Sequence, residues 1–497
     1  MSSSMNDSIK HDSREGFHWT KKDGLKRGLP SSSVIQPGTN LQAHNNVYDT
    51  TIIGAGYTGL TAARDLTTSG LSVLLLEARD RIGGRTWTST INGHQYELGG
   101  QYVHWGQPNL WRELSRYSMQ QDIDACLDPT GGPNISTVLT KEGLKSMSKE
   151  ENAAIMDSAF QKFINIDGDL GKSIMPLPYD PTLVSEAVHL DELTLKDRIN
   201  QIQQDLEPLE RTILEGLLLS LTGGKLETTG FFGVLVLWAL CAYSLDCLVR
   251  AAAAFKLRRG QSDFARRFFQ EALDSQKLSY AFNCPVASVK DRVGQIEVIT
   301  KDGLHFWTKR VICTVPLNVL SSIYFDPPVR ELSDDVLAGI NSNQSTKLHV
   351  ITSSGALSSW DGLTYPHNRL VHASGEGTTS WGDSHLVCFG ASYNHIDPED
   401  NIEETLAAVK IFHQDIDVKS MVFHDWSKDE YSKGGWCSYT ATAATKYLGK
   451  LRASRGKVIL ASSDWALGWR GFIDGAIEEG TRAAFTVKTE LAKEPKA

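Results

Sequence analysis

The chain is short of the features that mark disulfide-stapled, membrane-spanning and nucleic-acid-binding proteins. Only seven of its 497 residues are cysteine, and Cys126, Cys241, Cys247, Cys284, Cys313, Cys388 and Cys437 lie scattered along it. Their number is odd, no CxxC pair occurs, and no Cys/His spacing suits zinc, so neither a disulfide framework nor a metal centre is expected. Cysteines used this way fit a reducing compartment, and Cys313, inside an apolar run, reads as a small core residue. The one long uncharged run, Phe231 to Leu245, falls short of the roughly 20 residues a membrane helix needs and is closed by Asp246 and Arg250. It reads as a buried helix lining a cavity. Residues 1–46 have neither the apolar core of a signal peptide nor the Arg-rich, acid-poor make-up of a transit peptide. The final segment from Phe485 turns charged, and Pro495-Lys496-Ala497 does not make a clear peroxisomal signal, though a peroxisomal location stays open. A soluble, intracellular protein of the cytoplasm, without a membrane anchor, is the expectation. Nor is there an excess of basic charge. The net charge is −9 with the signs interleaved, and the clusters Lys21–Arg27 and Lys256–Arg259 are short, which argues against nucleic acid as a partner. No internal repeat or low-complexity tract is apparent.

What is present is a globular composition, 41% apolar and 22% charged, in a chain long enough for two or three domains. Its strongest signal begins at Tyr48. An apolar strand (Thr51-Ile52-Ile53) runs into Gly54-Ala55-Gly56-Tyr57-Thr58-Gly59 and a helical stretch, and a second strand, Val73 to Leu76, ends on Glu77, 21 positions (77 − 56) after the second glycine. A GxGxxG alone is weak. Between a strand and a helix, with a carboxylate at that spacing, it is the dinucleotide fingerprint. Gly54 permits the tight turn, Gly56 lets backbone approach a pyrophosphate, and Gly59 allows close helix–strand packing. The helix start, with Tyr57 and Thr58, offers free N–H groups and a positive dipole end, and Glu77 can accept from a ribose diol.

Further along, residues 123–254 are mainly helical by pattern, with a clear apolar periodicity from Leu206. Strand alternation returns at Cys284–Val289 and Ile296–Thr300, and Arg310–Pro316 reads as a buried strand. Lys347–Ser353 and His385–Ala391 read as strands of a second sheet; Gln414–Val422 is ambiguous. Near the end, Val458–Ala461 is an apolar strand, followed by the loop from Ser462 to Asp474 and a helix beginning near Gly475. This second strand–loop–helix unit can aim another set of backbone donors at a bound ligand and stabilise negative charge there.

Several segments extend the fingerprint in one direction. Glu77-Ala78-Arg79-Asp80-Arg81-Ile82-Gly83-Gly84-Arg85 and Glu97-Leu98-Gly99-Gly100-Gln101-Tyr102-Val103 resemble the flavin-contacting segments of the FAD amine oxidase superfamily. Phe17-His18-Trp19-Thr20, Gly260–Phe268, Val315–Leu320 and Ser463-Asp464-Trp465-Ala466-Leu467-Gly468-Trp469-Arg470 are similar to fungal flavin-dependent monoamine oxidases, over nearly the whole chain.

The resemblance implies an α/β fold: a Rossmann-like FAD-binding domain (residues 46–122, 255–325 and 436–492) with a discontinuous α+β substrate domain (123–254 and 326–435), preceded by an N-terminal extension (1–45). It implies FAD as cofactor, approached by Gly54, Gly56, Tyr57, Thr58, Gly59, Glu77, Ala78, Arg79, Gly84, Arg85, Gly100, Gln101, Tyr102, Ser463, Asp464 and Ile473, with Val286 bracketing the adenine end. Trp436 and Phe472 fall where the family places two aromatic rings that flank the substrate amine, and Lys347 where a lysine holds a water beside the flavin. The family's cysteine for covalent attachment corresponds to Gly435, so FAD is expected to be held non-covalently. The implied reaction takes a small primary monoamine, aliphatic or arylalkyl, with O2 and water to an aldehyde or ketone, ammonia and hydrogen peroxide. An L-amino acid or polyamine oxidase, a biosynthetic desaturase of the same superfamily, and a silent flavoprotein are the alternatives. A homodimer is compatible with the resemblance.

Overall fold

The computed structural model describes residues 11–41, 47–126, 134–328, 333, 337, 339–341, 343–353, 355–453 and 456–494. The tripeptide at 495–497 and the first ten residues therefore lie outside the described part.

The Gly-rich turn sits in a largely parallel sheet whose strand order is Tyr324–Asp326, Val286–Asp291, Ile296–Thr300, His305–Cys313, Tyr48–Ile53, Val73–Leu76, Leu278–Ala281 and Thr39–Asn40. The strand His305–Cys313 explains how distant segments meet here. Its first half pairs antiparallel with Ile296–Thr300, and its second half runs parallel to Tyr48–Ile53 on one side and to Val458–Leu460 on the other. The central strands read as continuous apolar runs because both faces are covered. The helices Tyr57–Thr67, Gly260–Asp274 and Ile473–Leu491 pack together, with Gly480 allowing backbone contact: a Cβ there would lie 2.4 Å from the Thr58 carbonyl.

The second sheet is also nine-stranded, in the order Gly143–Ser148, Ile135–Thr140, Asp361–Leu363, Leu370–Thr378, Ser384–Gly390, Thr346–Thr352, Val418–Phe423, His11–Thr20 and Gly24–Ser31. The ambiguous segment near 414 thus resolves as a strand at Val418–Phe423. The N-terminal segment is more than an extension. Its hairpin completes the sheet, with Phe17 stacked on Phe423 at 5.3 Å and Leu29 buried.

The helices Lys149–Ile164 and Pro208–Thr222 pack over this sheet, and Phe231–Leu240 packs against Lys149–Ile164 through Phe231 and Trp238 on Phe163 and Phe160. Phe231–Leu240 buries seven of its ten residues, as its uncharged sequence requires. No single described helix is long and apolar enough to cross a membrane, and the next helical piece bends away by 99°. None of the seven cysteines, all among the described residues, is in a disulfide.

Candidate active site

A cavity of about 640 Å³ runs between the two sheets, from the Gly-rich turn to the loop before the last helix. This volume is usual for cofactor and ligand sites.

At its nucleotide end, the turn is shaped by missing side chains. Gly54 has φ of +104°, and a Cβ on Gly59 would lie 1.9 Å from the Gly54 carbonyl oxygen. Gly56 caps the helix Tyr57–Thr67 without a side-chain cap, leaving the first-turn N–H groups unclaimed. Gly84, at φ +62°, packs its Cα against Gly56 so closely that a Cβ would come within 3.1 Å. Glu77 is buried at the end of the second strand and accepts from the Ala55 N–H at 2.6 Å and the Arg79 N–H at 2.9 Å. Burial raises its pKa against the pull of Arg79 and these donors. Each oxygen keeps a lone pair for a diol. Val286, Ala78 and Arg79 line the same end. The Arg79 guanidinium is committed elsewhere, to Asp429 at 2.6 Å and Glu15 at 3.3 Å.

In the middle, Arg85 ties three segments together. Its guanidinium donates to the Gly435 carbonyl (2.9 Å), Ser463 Oγ (3.0 Å) and Asp464 Oδ1 (2.6 Å), and Asp464 Oδ2 accepts from the Leu317 N–H at 2.8 Å. Gly59 and Asp464 stand behind the wall rather than in it; the other residues expected to approach the cofactor all line the cavity, Gly100, Gln101, Tyr102, Ser463 and Ile473 among them. Ile473 opens the 19-residue helix to Leu491, so a second helix N-terminus does meet the cavity.

Lys347 enters from the second sheet. Its Nζ donates to the carbonyls of Glu97 (2.8 Å) and Gly99 (3.0 Å) and to Gln101 Oε1 (2.5 Å). Burial pulls its pKa down to about 8, partly opposed by Glu376 and Glu97. Glu376 accepts from Gln101 Nε2 at 2.6 Å and from Lys256 at 2.9 Å. Burial alone would raise the Glu376 pKa; Lys256, His385 and Lys347 overcome this and bring it to about 2.

Trp436 and Phe472 come together because Gly471 has no side chain. Its φ is +80°, and a Cβ would stand 3.0 Å from the Cys437 carbonyl and 3.7 Å from Trp436 Cβ. Trp436 is oriented by donating Nε1–H to the Leu221 carbonyl at 3.0 Å, and Phe472 packs edge-on to Trp469 at 5.4 Å. Both aromatics also border a smaller apolar cavity of about 80 Å³.

Four residues escaped the sequence reading. Asn152, Asp361 and His372 line the main cavity away from the Gly-rich turn, and Arg470 lines the smaller one. No motif links positions 152, 361 and 372; only sheet register and helix packing bring them together.

The donor and acceptor set fits FAD: glycines where backbone must approach, two helix N-termini, a buried acceptor at the ribose end and a cationic side chain at the far end. Comparison with known proteins agrees. The family described as flavin containing amine oxidoreductase matches residues 57–487. The chain is 28% identical to pseudooxynicotine dehydrogenase of a Pseudomonas species, over 89% of this chain and 87% of that one. It is 28% identical to nicotine dehydrogenase of Pseudomonas putida, over 90% and 89%. Wild-type putrescine oxidase bound to putrescine superimposes with a TM-score of 0.72 at 22% identity, covering 89% of this chain and 99% of that one. The chain belongs to the flavin containing amine oxidoreductase family, with the amine oxidase fold and FAD as its cofactor.

Proposed function

We propose that the protein is an oxidase of primary amines, aliphatic or arylalkyl, converting amine, O2 and water to aldehyde or ketone, ammonia and hydrogen peroxide. The observation that carries this reading is the convergence of Trp436, Phe472 and the buried Lys347 on one cavity whose outer walls include Leu217, Ile213 and Met156. Bound FAD supplies the two-electron oxidation and the reaction with dioxygen.

The chain's own residues do the rest. Trp436 and Phe472 flank the amine, strip water from it and favour its neutral form, since a charged amine is costly in an apolar slot. Lys347 spends its Nζ donors on the Glu97 and Gly99 carbonyls and Gln101 Oε1, and in its neutral form the Nζ lone pair accepts from a water beside the reacting centre. No side chain is required as an obligatory general base.

We further propose that FAD is bound without a covalent link. Gly435 has no room for a side chain, because a Cβ would lie 2.8 Å from Ser345 Oγ and 2.9 Å from Asn343 Oδ1. Burial raises the Cys437 pKa well above the ordinary thiol value, so its nucleophilic thiolate is disfavoured. Acid precipitation should release the yellow colour into the supernatant; colour retained in the pellet contradicts this.

Arg470 favours a second reading, oxidation of an amino acid. It borders the smaller cavity with Trp436 and Phe472, lies 4.7 Å over the Tyr439 ring, and leaves Nη2 without a hydrogen bond among the described residues. A peroxide assay over primary amines, polyamines and L-amino acids separates the readings. The amine reading predicts turnover of primary amines and a loss of roughly tenfold to a hundredfold in kcat/KM for Trp436→Ala or Phe472→Ala. Turnover of amino acids alone, abolished by Arg470→Leu, selects the second.

A further inference from the structure

We propose that the cavity selects amines carrying a second hydrogen-bond donor, a hydroxyl or another amine, at the end remote from the reacting nitrogen. The inference rests on the amine-oxidase reading and concerns the end of the same cavity that this reading leaves unused.

The geometry follows from sheet register. Lys347 lies opposite Phe389, Phe389 opposite His372, His372 opposite Leu363, and Leu363 opposite Val138. Directly opposed residues share a sheet face, so these five make one row across five strands, and all five line the cavity. Strands spaced about 4.8 Å apart place His372 about 10 Å along this floor from Lys347. Asp361, in the adjacent row opposite Ser374 and Ser136, is three strand spacings across and two residues along, about 16 Å away. An amine seated near Lys347 therefore extends its other end toward His372 and Asp361.

That end is rich in unused acceptors. Asp361 Oδ2 accepts from Ser136 Oγ at 3.0 Å and faces Lys149 Nζ at 3.5 Å, while Oδ1 has no hydrogen bond among the described residues. Asn152, one helical turn beyond Lys149, buries Oδ1 with no partner among the described residues. An acceptor left unsatisfied in this way destabilises the fold, and a donor on the ligand relieves that cost. The His372 ring lines the cavity without a hydrogen bond among the described residues, and burial lowers its pKa, so the neutral imidazole brings a further lone pair. Asp361, which acts to raise that pKa, and Lys149, which lowers it, are the charged groups acting on the ring. Because Lys149 already balances Asp361, the ligand need only donate, not carry charge. Hydroxyl and amine share that chemistry.

The test uses FAD-loaded enzyme and three parent amines, hexylamine, octylamine and decylamine, each against its ω-hydroxy and ω-amino derivative. Anaerobic flavin bleaching and peroxide formation are read for all. The proposal predicts that, at one chain length, a derivative exceeds its parent in kcat/KM by about three- to tenfold, expressed in KM. The hydroxy and amino arms show which donor is preferred. Within Asp361→Asn and His372→Leu, the derivative-to-parent ratio should fall toward one. As a ratio within each variant, it is insensitive to partial loss of folded enzyme. An apolar cavity end would instead penalise the polar group. Preference for the parent at every length in the wild type, or a ratio that neither substitution changes, overturns the proposal and leaves the amine-oxidase reading standing. No bleaching by any member overturns both.

Discussion

At the residue scale, the buried amine of Lys347 sets the pH behaviour of the site. Its pKa of about 8 lies below the ordinary lysine value because burial penalises the ammonium, which three acceptors only partly compensate. A folded-state pKa below the unfolded one means that the charged form costs stability at pH below about 8. That cost fades as pH rises toward the unfolded value near 10.4. The absorption of the oxidised holoenzyme should therefore titrate with an inflection at about pH 8, and Lys347→Met should lack it. An unchanged inflection in the variant would assign the titration to another group.

Glu376 has the opposite sign. Its pKa of about 2 contributes stability that is complete above the usual glutamate value and is lost as pH falls from about 4.5 to about 2. Glu376→Gln leaves Lys256 without its buried partner and should lower unfolding stability near pH 7 by about 3 kcal/mol, while flattening the acid limb. Urea unfolding at several pH values reads both effects. None of this was legible in the sequence. Lys347 is identifiable there through the family resemblance, which says nothing of its burial or partners, and Glu376 and Lys256, 120 positions apart, carry no local signal.

At the element scale, the two helix N-termini and the loops that deliver them depend on a few close approaches. Gly59→Ala drives a methyl group into the Gly54 carbonyl, and backbone cannot yield there as a flexible side chain would. The expected cost is at least about 1–3 kcal/mol, with loss of FAD from the purified protein, measured as the ratio of flavin to protein absorbance. Arg85 is the comparable tie at the other end of the turn, holding Gly435 and Asp464. Arg85→Met should weaken FAD binding by tenfold or more with little change in secondary structure. Full flavin content in either variant would show that the approach does not matter for the cofactor.

These elements were the most readable part of the chain. Glycine spacing, the carboxylate at 77 and the apolar strands at 48, 73 and 458 each declare themselves locally, because the turn and strand requirements act over a few residues. The C-terminal helix was expected near Gly475 and starts at Ile473. The N-terminal hairpin was missed because it is half polar. It joins the second sheet by pairing edge to edge with Val418–Phe423 and buries only Ser13, Gly16, Leu29 and Ser31, and so shows no continuous apolar run.

At the scale of the whole molecule, the cavity is a product of topology. One sheet brings the nucleotide-binding turn and the strand at 458 to the same central strand, and the other carries Lys347, Phe389, His372, Leu363 and Val138 across its floor. The cofactor end was legible because contiguous motifs build it. The distal end was not, since register between strands more than 200 residues apart cannot be read from composition or period. The account's central claim is that this cavity binds an amine against FAD between Trp436 and Phe472. Anaerobic mixing of the purified holoenzyme with a panel of primary amines, followed at the flavin absorption band, tests it most directly. The account predicts bleaching by at least one aliphatic or arylalkyl amine, with hydrogen peroxide formed when air is readmitted. A flavin band that persists with every amine would contradict it.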